Sequence, residues 1–380
     1  MTKLTFGNAQ VVLSDKILRG TVTVEDGVIT AIGATGQMPA GAIDFAGDVL
    51  MPGLVDLHSD HLEKHVMPRA DVYWHAVSAA VSYDAQVISS GITTMFDSFG
   101  LVGEEFDSDR NAALPRMIAG MKEAADEGLL RADHYMHLRC EIIEPDIVDR
   151  FSALQDNPLL KLVSLMDHTP GQRTFPDPAK WKAHQRRRTG ASDEALDAIF
   201  AARQSARKRF ATPNRRAIAD ICRQKGIAVA SHDDTILEEV LEAEELGNGL
   251  SEFPTTQLAA SEARARGMKV VMGGPNLVRG GSHIGNLSAG ECAKLGLLDI
   301  LASDYIPASL LHAAFILASK DIGWSLPRAV ATVTSSPAAC VGLHDRGEIA
   351  VGKRADILRV RVHNGLPIVR SVWRAGHAVY

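Results

Sequence analysis

The stretch Gly53-Leu54-Val55-Asp56-Leu57-His58 is a short apolar run that ends on an imidazole, and seven further short apolar runs follow it. They are Thr93 to Asp97, His134 to Glu141, Leu162 to His168, Ile227 to His232, Leu250 to Phe253, Lys269 to Met272 and Leu298 to Asp304. Longer amphipathic stretches separate them, which is the rhythm of parallel β/α units. Eight units over about 290 residues match a (β/α)8 TIM barrel, for which about 250 residues is typical. A doubly wound sheet has the same rhythm, but no GxGxxG opens a helix after the first strand.

Outside these units the pattern changes to alternating strands. Val22 and Val24 face Val28, Ile29 and Ile32 across the turn pair Asp26-Gly27, a hairpin signature because Gly tolerates positive φ. Near the C-terminus, Ala355 to Val362 and Ile368 to Trp373 flank Asn364-Gly365 in the same way. Residues 1–51 and 345–380 are therefore expected to form one small composite β-sandwich domain around a barrel spanning 52–344. Within the barrel, 176–216 reads as a basic helical insertion, with eleven Lys and Arg against four acids. It is either a solvated excursion or a basic rim facing an anionic substrate.

The 380 residues are 46% hydrophobic and 5% aromatic, enough for a large core. Lys plus Arg number 40 against 46 Asp plus Glu, a net charge of −6, so no global basic field points to nucleic acid or an anionic membrane surface. No stretch reaches the roughly 18 apolar residues of a spanning helix. The cysteines Cys140, Cys222, Cys292 and Cys340 form no CxxC pair and fit a reducing cytoplasm. A homo-oligomer is the expected assembly.

The chemistry concentrates at the ends of the apolar runs: His58 with Asp60, then Glu141, His168, His232 and Asp304. In a parallel barrel all strand C-termini converge on one face, so residues far apart in sequence surround one point. Imidazole nitrogens with carboxylate oxygens suit one or two divalent ions, zinc first, with manganese or iron as alternatives. Singly, each residue has an ordinary explanation: a hydrogen-bonded histidine, an Asp60 helix cap, a Glu141 pair with Arg139. Five strand ends together favour a metal centre. His61, His65 and His75 follow the first strand and do not repeat a strand face. Cations also lie close to these ends. Lys64, Arg69, Arg173 and Arg279, with the backbone of Gly280 and Gly281 and with His283, form a substrate-binding set suited to a phosphorylated small molecule.

Met51-Pro52-Gly53 leading to His58, with Ser336-Pro337-Ala338-Ala339 and Gly352-Lys353-Arg354-Ala355-Asp356 near the C-terminus, resembles the amidohydrolase superfamily. HSDHLEKHVMPR (58–69), GITTMFDS (91–98), HLRCE (137–141), VSLMDHTPGQR (163–173), ASHDD (230–234), EFPTT (252–256), GGPNLVRGGSHIGN (273–286) and LLDILASDYIPASLL (297–311) narrow the resemblance to its phosphonate-metabolism branch. The superfamily's common HxH is here His58-Ser59-Asp60, a departure that weakens a generic C–N hydrolase reading. The resemblance implies that Glu141 bridges metals, that His168 and His232 are further ligands, and that Asp304 is both a ligand and the catalytic base. It also implies hydrolysis of a ribosyl methylphosphonate 5-triphosphate to the 5-phosphate and pyrophosphate. Two alternatives stand beside it: hydrolysis of an amide or cyclic imide at the same centre, and a non-catalytic scaffold.

Overall fold

The structure, a computed structural model, describes residues 3–34, 38–69, 71–103, 108–282 and 285–380, apart from the side chains of 108–110 and 188. Sixteen strands are found among these residues. The first five are β1 (Lys3–Val12), β2 (Ile17–Glu25), β3 (Val28–Gly33), β4 (Ile43–Asp44) and β5 (Val49–Pro52). Eight parallel strands follow: β6 (Leu54–Ser59), β7 (Ile92–Leu101), β8 (Asp133–Glu141), β9 (Leu160–Met166), β10 (Ala228–His232), β11 (Leu250–Glu252), β12 (Lys269–Gly273) and β13 (Ile300–Ala302). The chain closes with β14 (Ile357–His363), β15 (Leu366–Arg374) and β16 (His377–Ala378).

Strands β6 to β13 pair in sequence order. A parallel bridge between Ser59 and Asp304 joins the last to the first. At that seam the Asp304 amide donates to the His58 carbonyl at 2.9 Å, and the Asp60 amide to the Asp304 carbonyl at 3.0 Å. All eight apolar runs read from the sequence fall on these strands. The two chain ends form a second sheet, ordered β16-β15-β14-β5-β1-β2-β3 with β4 beside β1. Its core packs Phe6 edge-on against Trp373, with ring centroids 4.8 Å apart.

The barrel interior is layered by the period-two alternation of strands. Val55, Leu57, Phe96, Leu162, Ala230, Leu250, Val271 and Ile300 fill its lower part. Each fully buried aliphatic side chain there contributes about 1.5–3 kcal/mol. Two positions further along the same faces the residues become polar, at Ser98, Ser164, His232 and Glu252. Strand β6 breaks the alternation, because its register against β7 shifts between Asp56 and Ser59. That irregularity turns His58 toward the strand-end group although Val55 and Leu57 already occupy the inward positions.

Asp133, at the start of β8, ties the two sheets together. Its carboxylate accepts from Arg346 and Arg354 at 2.5 Å each and from Arg374 at 2.9 Å. The basic insertion forms two helices, Pro178–Thr189 and Asp193–Lys225. Ser192 caps the second through the Ala195 amide, and Gly226, at φ +65°, ends it in the left-handed region.

Candidate metal centre

Glu252 sits at the end of β11, fully buried, and organises the upper layer. Its Oε1 lies 2.6 Å from His58 Nδ1, and its Oε2 lies 2.7 Å from His232 Nδ1. The Ser164 hydroxyl donates to Oε2 at 2.8 Å. Burial alone would raise this carboxyl, but the neighbouring imidazoles, with hydrogen bonds from His58 and His232, hold it well below the usual range. An ionised Glu252 only accepts, so both histidines present Nδ1–H to it and keep Nε2 for another partner. Carboxylates orient metal-ligating imidazoles in this manner.

Two sets of donor atoms converge, each within 4.8 Å: His58 with His137 and Glu252, and His168 with His232 and Asp233. Glu141 belongs to neither set but holds the second in place. Its Oε2 is 2.6 Å from His168 Nδ1, and its Oε1 accepts the His168 amide at 2.9 Å. His137 Nδ1 lies 2.9 Å from the Leu57 carbonyl. Burial pushes its imidazole down to about 3, so it stays neutral, and its Nε2 lies 2.6 Å from the Ser164 hydroxyl. Neutral imidazoles oriented by carboxylates, with further carboxylates alongside, form a donor set that fits a divalent first-row ion.

Asp304 is joined to this group through the seam at His58, and burial raises its carboxyl above the ordinary value. Asp60 lies 3.9 Å from Arg139 Nη1. Asp233, Phe253 and Asp304 follow or end three of these strands with φ of 56°, 56° and 58°, and Arg173 has φ 48°. Left-handed backbone at non-glycine residues costs about 1–3 kcal/mol each and clusters where function requires it.

The expected substrate-binding residues fall in different settings. Lys64 is exposed, with Nζ 5.8 Å from the Tyr305 ring centroid. Arg69, Arg279 and Gly280 are exposed and Gly281 is half-buried. His283 lies outside the described residues. Arg173 is drawn inward instead: its Nη1 donates to the His232 carbonyl at 2.7 Å and to Asp234 Oδ1 at 2.8 Å. Burial would lower its affinity for the proton, but Asp234, Glu239 and Asp167 raise it. The acids packed around Arg173 make it a brace for the His232 strand end.

The insertion is only partly a solvated excursion. Gln204 donates to the Pro170 carbonyl at 2.6 Å and Arg207 Nε to Asp167 at 2.9 Å, while Arg203 Nη2 lies 3.7 Å from Glu141 Oε1. Between this helix and the loop after β8 lies a cavity of about 830 Å³, lined by Asn111, Ile143, Glu144, Arg150, Ile199 and Arg203.

The histidines set aside in the sequence have other tasks. His61 and His65 each lie 3.1 Å from Gln86 Oε1, and His75 caps the helix Ala76–Ser89 by accepting the Ser78 amide. Sequence reading missed His137, Asp233 and Glu252. His137 shares the strand face of Glu141, and Glu252 is the acidic residue just before the Phe253 taken as the end of its run.

The amidohydrolase family model matches residues 62–380. The α-D-ribose 1-methylphosphonate 5-triphosphate diphosphatase of Escherichia coli (strain K12) is 41% identical over 98% of this chain and 99% of its own length. The imidazolonepropionase of Deinococcus deserti is 25% identical over 94% and 91%. Among solved structures, N-acetylglucosamine-6-phosphate deacetylase from Pasteurella multocida superposes with a TM-score of 0.62 at 14% identity, covering 99% of both chains. That likeness shows the fold, a barrel with an accompanying β domain. Matched by its model over most of its length and by a full-length relative at this identity, the chain belongs to the amidohydrolase family.

Proposed function

We infer that this chain hydrolyses α-D-ribose 1-methylphosphonate 5-triphosphate between its α and β phosphorus atoms, giving the 5-phosphate and pyrophosphate in phosphonate breakdown. The observation that carries the reading is the 41% identity to the Escherichia coli diphosphatase along nearly the whole of both chains. In the reaction a water oxygen bonds to phosphorus, the bond to the bridging oxygen breaks, and its electron pair leaves with pyrophosphate.

His58, His137, His168 and His232, with Asp60, Glu141, Asp233 and Asp304, would hold one or two divalent ions, zinc in our reading, with manganese or iron as alternatives. Such ions supply hydroxide at neutral pH and draw charge from phosphoryl oxygens. Glu252 keeps two imidazoles in one tautomer. Asp304, its carboxyl raised by burial, receives a proton from the attacking water and can return one to the leaving group. Lys64, Arg69 and Arg279, with Gly280 and Gly281, meet the phosphates at the mouth, His283 is assigned to phosphate binding from the sequence, and Arg173 supports the His232 end from behind. The free cysteines, far apart in sequence and mostly buried, support a cytoplasmic setting.

The test offers the purified, metal-supplied protein the triphosphate and, separately, an N-acetylated amino-sugar phosphate. Pyrophosphate from the first and no acetate from the second is the expected result. Acetate release without pyrophosphate would overturn the reading.

A further inference from the structure

We propose that Arg139 is a catalytic residue that grips the phosphoryl oxygens of the substrate at the centre of the site. The proposal rests on the diphosphatase reading above and deepens it. On β8 the period-two alternation gives His137, Arg139 and Glu141 a common inward face. Arg139 thus stands between a residue of one donor set and the carboxylate that fixes His168 of the other. Its side chain is 13% exposed, so it is deep in the barrel mouth yet reachable.

Its bonding separates it from the structural arginines of the same molecule. Arg173 closes on Asp234 at 2.8 Å, Arg359 on Asp48 at 2.7 Å and Arg354 on Asp133 at 2.5 Å. Arg139 faces Asp60 at 3.9 Å, beyond hydrogen-bond reach. Its Nε, like that of Arg173, is buried with no hydrogen-bond partner among the described residues, but Arg173 is secured through Nη1 on Asp234 whereas Arg139 meets its carboxylate only at 3.9 Å. A buried guanidinium held this loosely is under-paired.

Arg139 also adds a fixed positive charge between His137 and Glu141, among residues that would hold cations. A guanidinium at such a centre is explained when the ligand brings surplus negative charge. A guanidinium fork matches two non-bridging phosphoryl oxygens, and its planar donors need no reorganisation as charge builds there. The exposed Lys64, Arg69 and Arg279 are left to attract and steer the substrate.

The test compares metal-loaded wild type with Arg139→Gln and Arg139→Lys by pyrophosphate release, by calorimetric binding of inorganic pyrophosphate, and by metal content and melting temperature. We expect Arg139→Gln to lose about 10³-fold in kcat and most of its pyrophosphate affinity, with metal content and melting temperature held. Arg139→Lys should fall between, and added guanidinium ion should restore part of the Arg139→Gln rate. Turnover and pyrophosphate binding within threefold of wild type would overturn the proposal, as would loss of metal or of melting temperature in both variants. A wild type that releases no pyrophosphate would sink the diphosphatase reading instead. The calorimetric comparison would still decide whether Arg139 binds the anion.

Discussion

Glu252 Oε1 lies 2.6 Å from His58 Nδ1, a buried contact between residues 194 positions apart. With His232 held by the other oxygen, one carboxylate from β11 fixes the tautomer of imidazoles from β6 and β10. Glu252→Gln keeps the shape but removes the charge and turns one acceptor into a donor. One of the two imidazoles must then change tautomer or lose its partner. Metal affinity should fall about 10–100-fold, read as metal per chain after dialysis against a graded chelator.

Asp304→Asn removes the proton acceptor while keeping the backbone bonds of the seam, which use only the main chain of His58, Asp60 and Asp304. Turnover should drop by at least about 10²-fold while metal content stays near wild type. Normal pyrophosphate release by the variant would remove Asp304 from its role as base.

His134, at the foot of β8, lies 2.8 Å from Asp97 and 3.4 Å from Asp84. Burial would lower its pKa, but the Asp97 charge and the bonds to both acids raise it to about 9 from 6.5. The folded value is the higher one, so the stabilisation is complete below about pH 6.5 and disappears as pH rises through about 9. His134→Gln should therefore melt well below wild type at neutral pH, with the gap closing above about pH 9. A gap independent of pH would contradict the charged imidazole.

Asp133→Asn should cost about 1–3 kcal/mol, measured by chemical denaturation, because it leaves Arg374 without its anion and leaves Arg346 and Arg354 with only Asp345 and Asp356. Burial raises the Asp133 carboxyl, but the arginines outweigh it and hold it below the ordinary value. This contribution is present above about pH 4 and is lost as acid protonates the carboxylate.

The barrel was legible in the sequence because apolar runs and their spacing carry strand and crossover directly, as at Gly53 to His58. The β sheet of the chain ends was legible from the turn pairs Asp26-Gly27 and Asn364-Gly365. Residues at run ends were the ones the sequence could nominate. Glu252 escaped because Phe253, beside it, looked like the end of an apolar run. His137 escaped because it lies within a run, where only strand parity relates it to Glu141. Arg173 was misplaced for another reason. Its position after His168 suggested the mouth, and only three-dimensional packing reveals Asp234 and Glu239 drawing it inward.

The most direct measurement is phosphorus NMR of α-D-ribose 1-methylphosphonate 5-triphosphate mixed with metal-stripped and then metal-restored protein. The expected result is an inert stripped protein and, on restoration, pyrophosphate and the 5-phosphate appearing together in equal amounts. Orthophosphate as the first product, or pyrophosphate released at the same rate without metal, would contradict a metal-dependent diphosphatase.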